Sequence, residues 1–226
     1  MSGFDRPEYT DTERTALVRA VPNGIRRVLD VGCHAGAFGQ ALKRSGVVEV
    51  WGVEPDAQAA KLAAQRIDHV VTDVFQASNP IPERYFDLVT FNDSLEHMAD
   101  PAAALQLART KLTPGGRVHC CVPNVRHVSN LEHLLFDKDW RYEDSGIRDR
   151  THLRFFTRSS ICRLFEDSGF KVVEVTGVNE DWWERRAYLR RLLFRLMPRF
   201  TEDMRHIQFL VIAEPADVLP GQRAPS

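Results

Sequence analysis

Three acidic residues carry the first chemical signal. Asp30, Glu54 and Asp73 stand in RVLDVG, VWGVEPD and VVTDV, each at the end of a short β-branched run. Asp30 leads into Gly32-Cys33-His34-Ala35-Gly36-Ala37-Phe38-Gly39. A strand that runs into glycines and then a helix lets a ligand approach bare backbone at the strand's carboxyl end. Glu54 follows Asp30 by 24 residues, where an acid can accept hydrogen bonds from both hydroxyls of a ribose. At the third tip Asp73 can accept an exocyclic adenine amine, with Val74 as an apolar floor. Singly, each has a blander reading: a tight βα turn at Gly32, a solvated loop carboxylate at Glu54, a helix N-cap at Asp73. Together they line one rim of one sheet, and coincidence explains three poorly.

The elements that must hold this rim follow from the apolar patterning. Short runs at 27–31, 47–53, 69–72, 86–91 and 117–122 read as strands, separated by helical stretches at 37–45, 57–66 and 101–112. Pro114-Gly115-Gly116 is expected to stop the third of these helices. Strands alternating with helices of about ten residues imply βαβ crossovers and a parallel sheet. The strands are near-continuous apolar runs, as expected when helices cover both faces. Beyond Val125 the pattern changes. Residues 126–150 mix charges and aromatics without a clean period, 159–168 reads as a helix, and strands are expected over 170–178 and 207–213. No ordinary crossover helix joins those last two strands, so an antiparallel pair is expected. Residues 11–21 are expected to form a helix covering the ligand, with Tyr9 near it.

Composition narrows the class. The 226 residues carry 30 basic and 31 acidic side chains, 43% hydrophobic residues and a formal charge of -1. At roughly 150 residues per domain, this length suits one domain with insertions. We expect it over 1–215, with 126–158 as a lid, 179–206 as a helical insertion and 216–226 as a flexible tail. Near-neutral charge excludes the broad basic surface of a nucleic-acid binder. No apolar run approaches the ~20 residues of a membrane span, and the polar N-terminus does not read as a signal peptide. Cys33, Cys120, Cys121 and Cys162 form no CxxC pair; buried thiols in a reducing cytoplasm are the simplest expectation.

With these residues in place, the sequence resembles the class I S-adenosylmethionine-dependent methyltransferases. LDVGCHAG, VEPD, VTDV, FDLVTFNDSLEHMADP and LTPGGRVHCCVPN carry the likeness, in order and spacing. It is closer to bacterial methyltransferases associated with cell-surface polysaccharide genes, through Leu95-Glu96-His97, Pro123-Asn124-Val125 and the Asp149–Thr157 segment. The resemblance covers about residues 20–178. It implies a Rossmann-like, seven-stranded, mostly parallel sheet with an antiparallel last strand and helices on both faces, and S-adenosylmethionine as cofactor. Asp30, Gly32 and Gly36 would flank the methionine moiety, Glu54 would hold the ribose, Asp73 and Val74 the adenine, and Asn92 the sulfonium side. His34 departs from the pattern, standing where the family has glycine. Histidine accepts a left-handed backbone more readily than β-branched residues do. A small-molecule or glycan acceptor, methylated at oxygen, is expected; N-methylation, nicotinamide-dependent oxidation and cofactor binding without turnover are the alternatives. The missing middle glycine and NDSLEH argue against the nicotinamide reading.

An alcohol acceptor needs its proton removed, which a general base accelerates by about 10²–10⁴. His152 and His97 compete for that role, His152 being favoured because it lies where a lid would fall. Asp93, Glu96 and His97 have the spacing of a hard-metal site in some quinone-pathway O-methyltransferases, but no metal is expected. Finally, Leu189, Leu192, Leu193, Leu196, Met197 and Phe200 make one apolar stripe in 182–200, with Arg186, Arg190, Arg191, Arg195 and Arg199 on other faces and Trp182 and Trp183 at its entry. Such a helix can pack on the sheet, on a second subunit of a homodimer, or on an anionic membrane surface. Trp140 and Tyr142 would close the lid or stack on an acceptor ring.

Overall fold

The first five strands lie parallel, and the chain reverses its order midway through them. In a computed structural model, which describes residues 14–180 and 187–217, they are β1 (Arg27–Val31), β2 (Glu49–Val53), β3 (His69–Val71), β4 (Phe86–Asn92) and β5 (Leu112–Pro123). β6 (Phe170–Glu180) and β7 (His206–Pro215) complete one sheet in the order β3-β2-β1-β4-β5-β7-β6. β7 runs antiparallel to both of its neighbours, so the expected antiparallel pair is present and β7 is inserted beside β5. The strand order turns back between β1 and β4, which opens a crevice beyond their carboxyl ends.

The helices are α1 (Thr15–Arg19), α2 (Ala37–Arg44), α3 (Ala57–Ala63), α4 (Pro101–Lys111), α5 (Val128–Glu132), α6 (Arg158–Asp167), α7 (Ala187–Leu196) and α8 (Pro198–Thr201). Short polar side chains set the starts of α3, α4 and α6. Asp56 accepts from the amides of Gln58 and Ala59 at 2.8 Å, and Asp100 caps α4 beside Pro101. Thr157 and Ser160 form a reciprocal capping box on α6. The period-2 alternation of the strands splits the core between the two faces. Leu29, Val89, Phe91 and Cys120 pack with Leu105, Ile161 and Phe165 on one side. Val28, Val50, Leu88 and Cys121 pack with Leu17, Phe38 and Leu42 on the other. The adjacent Cys120 and Cys121 are therefore buried free thiols on opposite faces.

Some boundaries differ from expectation. β5 starts at Leu112 rather than Arg117, because Leu112 pairs with Phe86 and the Thr113–Gly116 stretch is absorbed as an irregularity before Arg117 pairs with Leu88. The basic tail helix breaks before Pro198, whose ring cannot continue the α7 ladder. Arg190, expected on a polar face, is buried with Phe194, while Leu192, Leu196, Met197 and Phe200 face outward. Tyr9, residues 11–13, Trp182, Trp183, the Arg186 and Leu189 side chains and residues 218–226 lie outside the described residues. No helix among the described residues is long and apolar enough to cross a membrane.

His119, at the centre of β5, is fully buried and stacks on Phe38 at 6.3 Å. Burial pushes its pKa down to about 4. The unfolded imidazole takes a proton below about 6.5 whereas the folded one stays neutral, so its stability contribution is intact above pH 6.5 and is lost as pH falls toward 4. The slope is about 1.4 kcal/mol per pH unit. Thermal melts of wild type and His119→Leu between pH 7.5 and 4.5 should diverge in favour of leucine as pH falls; parallel curves would contradict this assignment.

Candidate active site

The β1–α2 turn is built from left-handed residues. Gly32, His34 and Gly36 have φ of 79°, 47° and 77°. A Cβ on Gly32 would lie 2.7 Å from Ser94 Cβ, so only glycine lets the turn close over the β4 tip. At Gly36 a Cβ would meet Ala63 Cα at 3.0 Å; this residue seats α2 against α3. His34 accepts its left-handed conformation and donates its amide to Glu54 Oε2 at 2.8 Å. The second Glu54 oxygen accepts from the Asp56 amide at 2.9 Å. The β2 carboxylate is thereby aimed by two backbone donors, and histidine at position 34 is part of the arrangement.

These residues open on a cavity of about 830 Å³ at the switch point. Asp30, Gly32, His34, Glu54, Val74 and Asn92 all line it. Asp73 does not: its carboxylate accepts from Gln76 Nε2 at 2.7 Å, Asn79 Nδ2 at 3.0 Å and the Val74 amide at 2.8 Å. Gly36 also stays outside the lining. Pro55, Val74 and Phe75 form an apolar corner near the β2 and β3 tips, and Met98 and Leu107 add apolar wall. Asn92 is buried, and neither its Oδ1 nor its Nδ2 has a hydrogen-bond partner among the described residues. Buried amides left this way are rare and point to a ligand.

Asp30 is buried and accepts from Thr90 Oγ1 at 2.6 Å. Burial raises its pKa to about 6, against the lowering effects of the Thr90 hydrogen bond and the Arg14 charge. Arg14 lines the cavity and pairs with Asp93, which also accepts from Gln208. Asp93 is thus turned away from the metal trio its spacing suggested.

The two candidate bases meet, but only one reaches the cavity. His97, on the short 3-10 turn Leu95–His97, is exposed and lines the cavity; His152 is buried behind it, with ring centroids 4.8 Å apart. His152 Nδ1 lies 3.1 Å from the Ile147 carbonyl. Burial, then the neighbouring His97, lowers its pKa and keeps it neutral. His97 Nδ1 lies 3.3 Å from the Thr151 carbonyl and 3.2 Å from Thr151 Oγ1. Thr151 Oγ1 donates to Asp149 Oδ1 at 2.6 Å, so towards His97 it can only accept. Both contacts therefore require the proton on His97 Nδ1 and leave Nε2 with its lone pair. The backbone of Leu153 and Arg154 closes this segment onto the 3-10 turn by donating to the Glu96 carbonyl at 2.8 and 3.0 Å.

Glu96, His97 and His152 can offer ligand atoms that all lie within 4.8 Å of one another. The Glu96 carboxylate is buried with no hydrogen-bond partner among the described residues, and burial followed by the Asp93 charge raises its pKa well above the usual range. This trio, rather than Asp93-Glu96-His97, is the group that could hold a divalent ion. Arg14, Ser94, Phe75, Met98, Asp149 and Thr151 belong to the site without having been singled out from sequence. Asp149 and Thr151 sat within a recognised segment; Arg14 carried no local signal. Trp140 packs edge-on against Phe155 at 5.0 Å and Tyr142 is exposed; neither lines the cavity.

A doubly wound sheet with two buried carboxylates, a glycine turn and a cavity at its switch point defines a Rossmann-like ligand-binding α/β protein. The chain belongs to the methyltransferase domain family, whose family model matches residues 6–175. Relatives include the ubiquinone biosynthesis O-methyltransferases of Aeromonas salmonicida, 28% identical over 167 residues, 68% of this chain and 66% of that protein, and of Psychrobacter arcticus, 28% over 179 residues, 73% and 66%. The chain thus spans 66% of the length of these relatives. Its fold is shared with an S-adenosylmethionine-dependent methyltransferase from Archaeoglobus fulgidus (TM-score 0.65, 20% identity, 89% of this chain and 94% of that one). Another from Mesorhizobium loti matches with TM-score 0.60 and 19% identity over 89% and 96%.

Proposed function

We propose that this protein uses S-adenosylmethionine to methylate a hydroxyl of a small molecule. One observation carries the reading: a single cavity joins the Glu54 and Val74 corner to the His97 imidazole, and it is also lined by Asn92 at the β4 tip, whose amide has no hydrogen-bond partner among the described residues. Glu54 would hold the ribose hydroxyls, Pro55, Val74 and Phe75 would flank the adenine, and Asp30 and Asn92 would face the charged methionine end. When bound, the cofactor supplies a methyl already activated on a sulfonium. The chain's own work is then alignment, which can contribute ~7–11 kcal/mol, and removal of the acceptor proton. His97 Nε2 would take that proton, while Thr151 accepts from Nδ1–H and donates to Asp149. His152, kept neutral by burial, supports the His97 ring and adds no positive charge beside it.

The relatives' name, ubiquinone biosynthesis O-methyltransferase, supports oxygen as the methylated atom. Leu95-Glu96-His97, Pro123-Asn124-Val125 and the Asp149–Thr157 segment support the likeness to polysaccharide-associated methyltransferases and keep a glycan hydroxyl as one acceptor class, with a phenol as the other. Glu54→Ala should weaken S-adenosylhomocysteine binding by more than tenfold in calorimetry, because both the ribose contact and the aim of the His34 turn are lost. Unchanged affinity, or wild-type thermal stabilisation by NAD instead, would overturn the cofactor assignment. Transfer of labelled methyl to phenol or sugar acceptors distinguishes the two substrate classes.

A further inference from the structure

The tail helices present an apolar face that is exposed among the described residues. α7 turns Arg190 and Phe194 inward, Phe194 joining a small core with Val128 and Met204. Opposite them, Tyr188 is 82% exposed, Leu192 42% and Leu196 69%, with Met197 at 49% and Phe200 at 50%. Tyr188, Leu192 and Leu196 recur at i, i+4 and i+8 and so form one ridge. Arg191, Arg195 and Arg199 repeat at the same interval beside it and are all exposed. None of the three has an ion-pair partner among the described residues. No acidic residue occurs from 187 to 201. The two acids that follow are engaged elsewhere: Glu202 lies 3.6 Å from Arg158, and Asp203 accepts from Arg126 at 2.8 Å.

This face sits at the rim that carries the cavity. β6 runs parallel to β5, since both are antiparallel to β7, so α7 and α8 leave the sheet at the same edge as the β5 tip. The junction is fixed there by the Val128 amide on the Met204 carbonyl at 3.0 Å and by Asn124 on the Asp203 and His206 carbonyls. The turn after α5 exposes Leu134, Leu135 and Phe136 as well.

We propose that the outward face of α7 and α8 docks the protein on an anionic lipid surface. An interfacial helix places its apolar ridge at the headgroup boundary, and arginines beside that ridge reach the phosphates with their long stems along the apolar layer. A second copy of the chain is a poor occupant. A two-fold contact sets each patch against itself, bringing three arginines per copy together with no carboxylate from 187–201 to meet them. The proposal concerns only where the protein sits and stands whether or not methyl transfer is its reaction.

Co-sedimentation of the full chain with vesicles tests it. Binding is expected to phosphatidylglycerol-rich vesicles, weakening with salt, and not to pure phosphatidylcholine. Each arginine near such a surface contributes about fivefold, so Arg191→Gln, Arg195→Gln and Arg199→Gln combined should weaken binding roughly 100-fold. Leu192→Asn with Leu196→Asn should also release the protein. All five positions are solvent-exposed, and an unchanged melting temperature certifies each variant. Absence of vesicle binding, or binding that survives the arginine changes, overturns the proposal. So does a dimer in sedimentation velocity that the leucine variant dissolves while vesicles bind nothing.

Discussion

Replacing Asp30 by asparagine should stabilise the fold at pH 7 and at the same time weaken cofactor binding about 100-fold. Asp30 is buried, and its pKa lies near 6 against an ordinary 3.8. A carboxyl raised in this way contributes stability that is complete below about pH 3.8 and is lost as pH rises through 6. Above pH 6 the folded protein carries the cost of a buried charge, at most about 3 kcal/mol from two pKa units. Asparagine keeps an oxygen for Thr90 and removes that cost. It would also remove the anion proposed to face the charged end of the ligand. One charge pair at about 4 Å and an effective dielectric near 20 is worth about 4 kcal/mol before desolvation, so a loss near 100-fold is expected. Wild-type affinity should fall below pH 6 as Asp30 protonates, by up to tenfold per unit, while the variant's affinity stays flat. Calorimetry with S-adenosylhomocysteine at pH 5, 6 and 7 and melts at pH 7 read both effects. An asparagine variant that is less stable yet binds normally would place Asp30 in the framework alone.

His97→Gln should lower kcat for a hydroxyl acceptor by about 10²–10⁴, the usual contribution of a positioned base, with cofactor affinity within about twofold of wild type because the residues proposed to hold the ribose and adenine lie elsewhere. Thr151→Val tests the proton assignment separately. The Thr151 carbonyl remains, but the Oγ1 link to Asp149 is lost, so one hydrogen bond near 1 kcal/mol goes and about a five- to tenfold fall in kcat is expected. If the Glu96-His97-His152 trio instead works by holding a divalent ion, chelation will abolish turnover and an added imidazole-binding ion such as Zn²⁺ will restore it. Under the base assignment, chelator leaves turnover intact. Full activity in His97→Gln would sink both roles for the ring.

Residues near one another in sequence were legible in advance. Strand and helix order follows from local apolar period, the β1–α2 turn from its glycines, and the Asp30–Glu54 pairing from the fixed length of one βαβ unit. Asp30, Gly32, His34, Glu54, Val74 and Asn92 reach the cavity because each stands at or beside the tip of a parallel strand. Tertiary structure decided what depends on distant partners. Asp73 is engaged by Gln76 and Asn79, in a loop whose path no period encodes. Which histidine faces the cavity depends on Thr151, 54 residues from His97 in the chain. Asp93 turns to Gln208, 115 residues away. The tail helix shows the same limit. Its composition specifies a helix with apolar and basic positions, but the inward face is selected by Val128 and Met204, which offer a site that Phe194 fills and Leu192 does not. Periodicity is written in local sequence; the choice of side-chain partner is settled only by packing across the sheet rim.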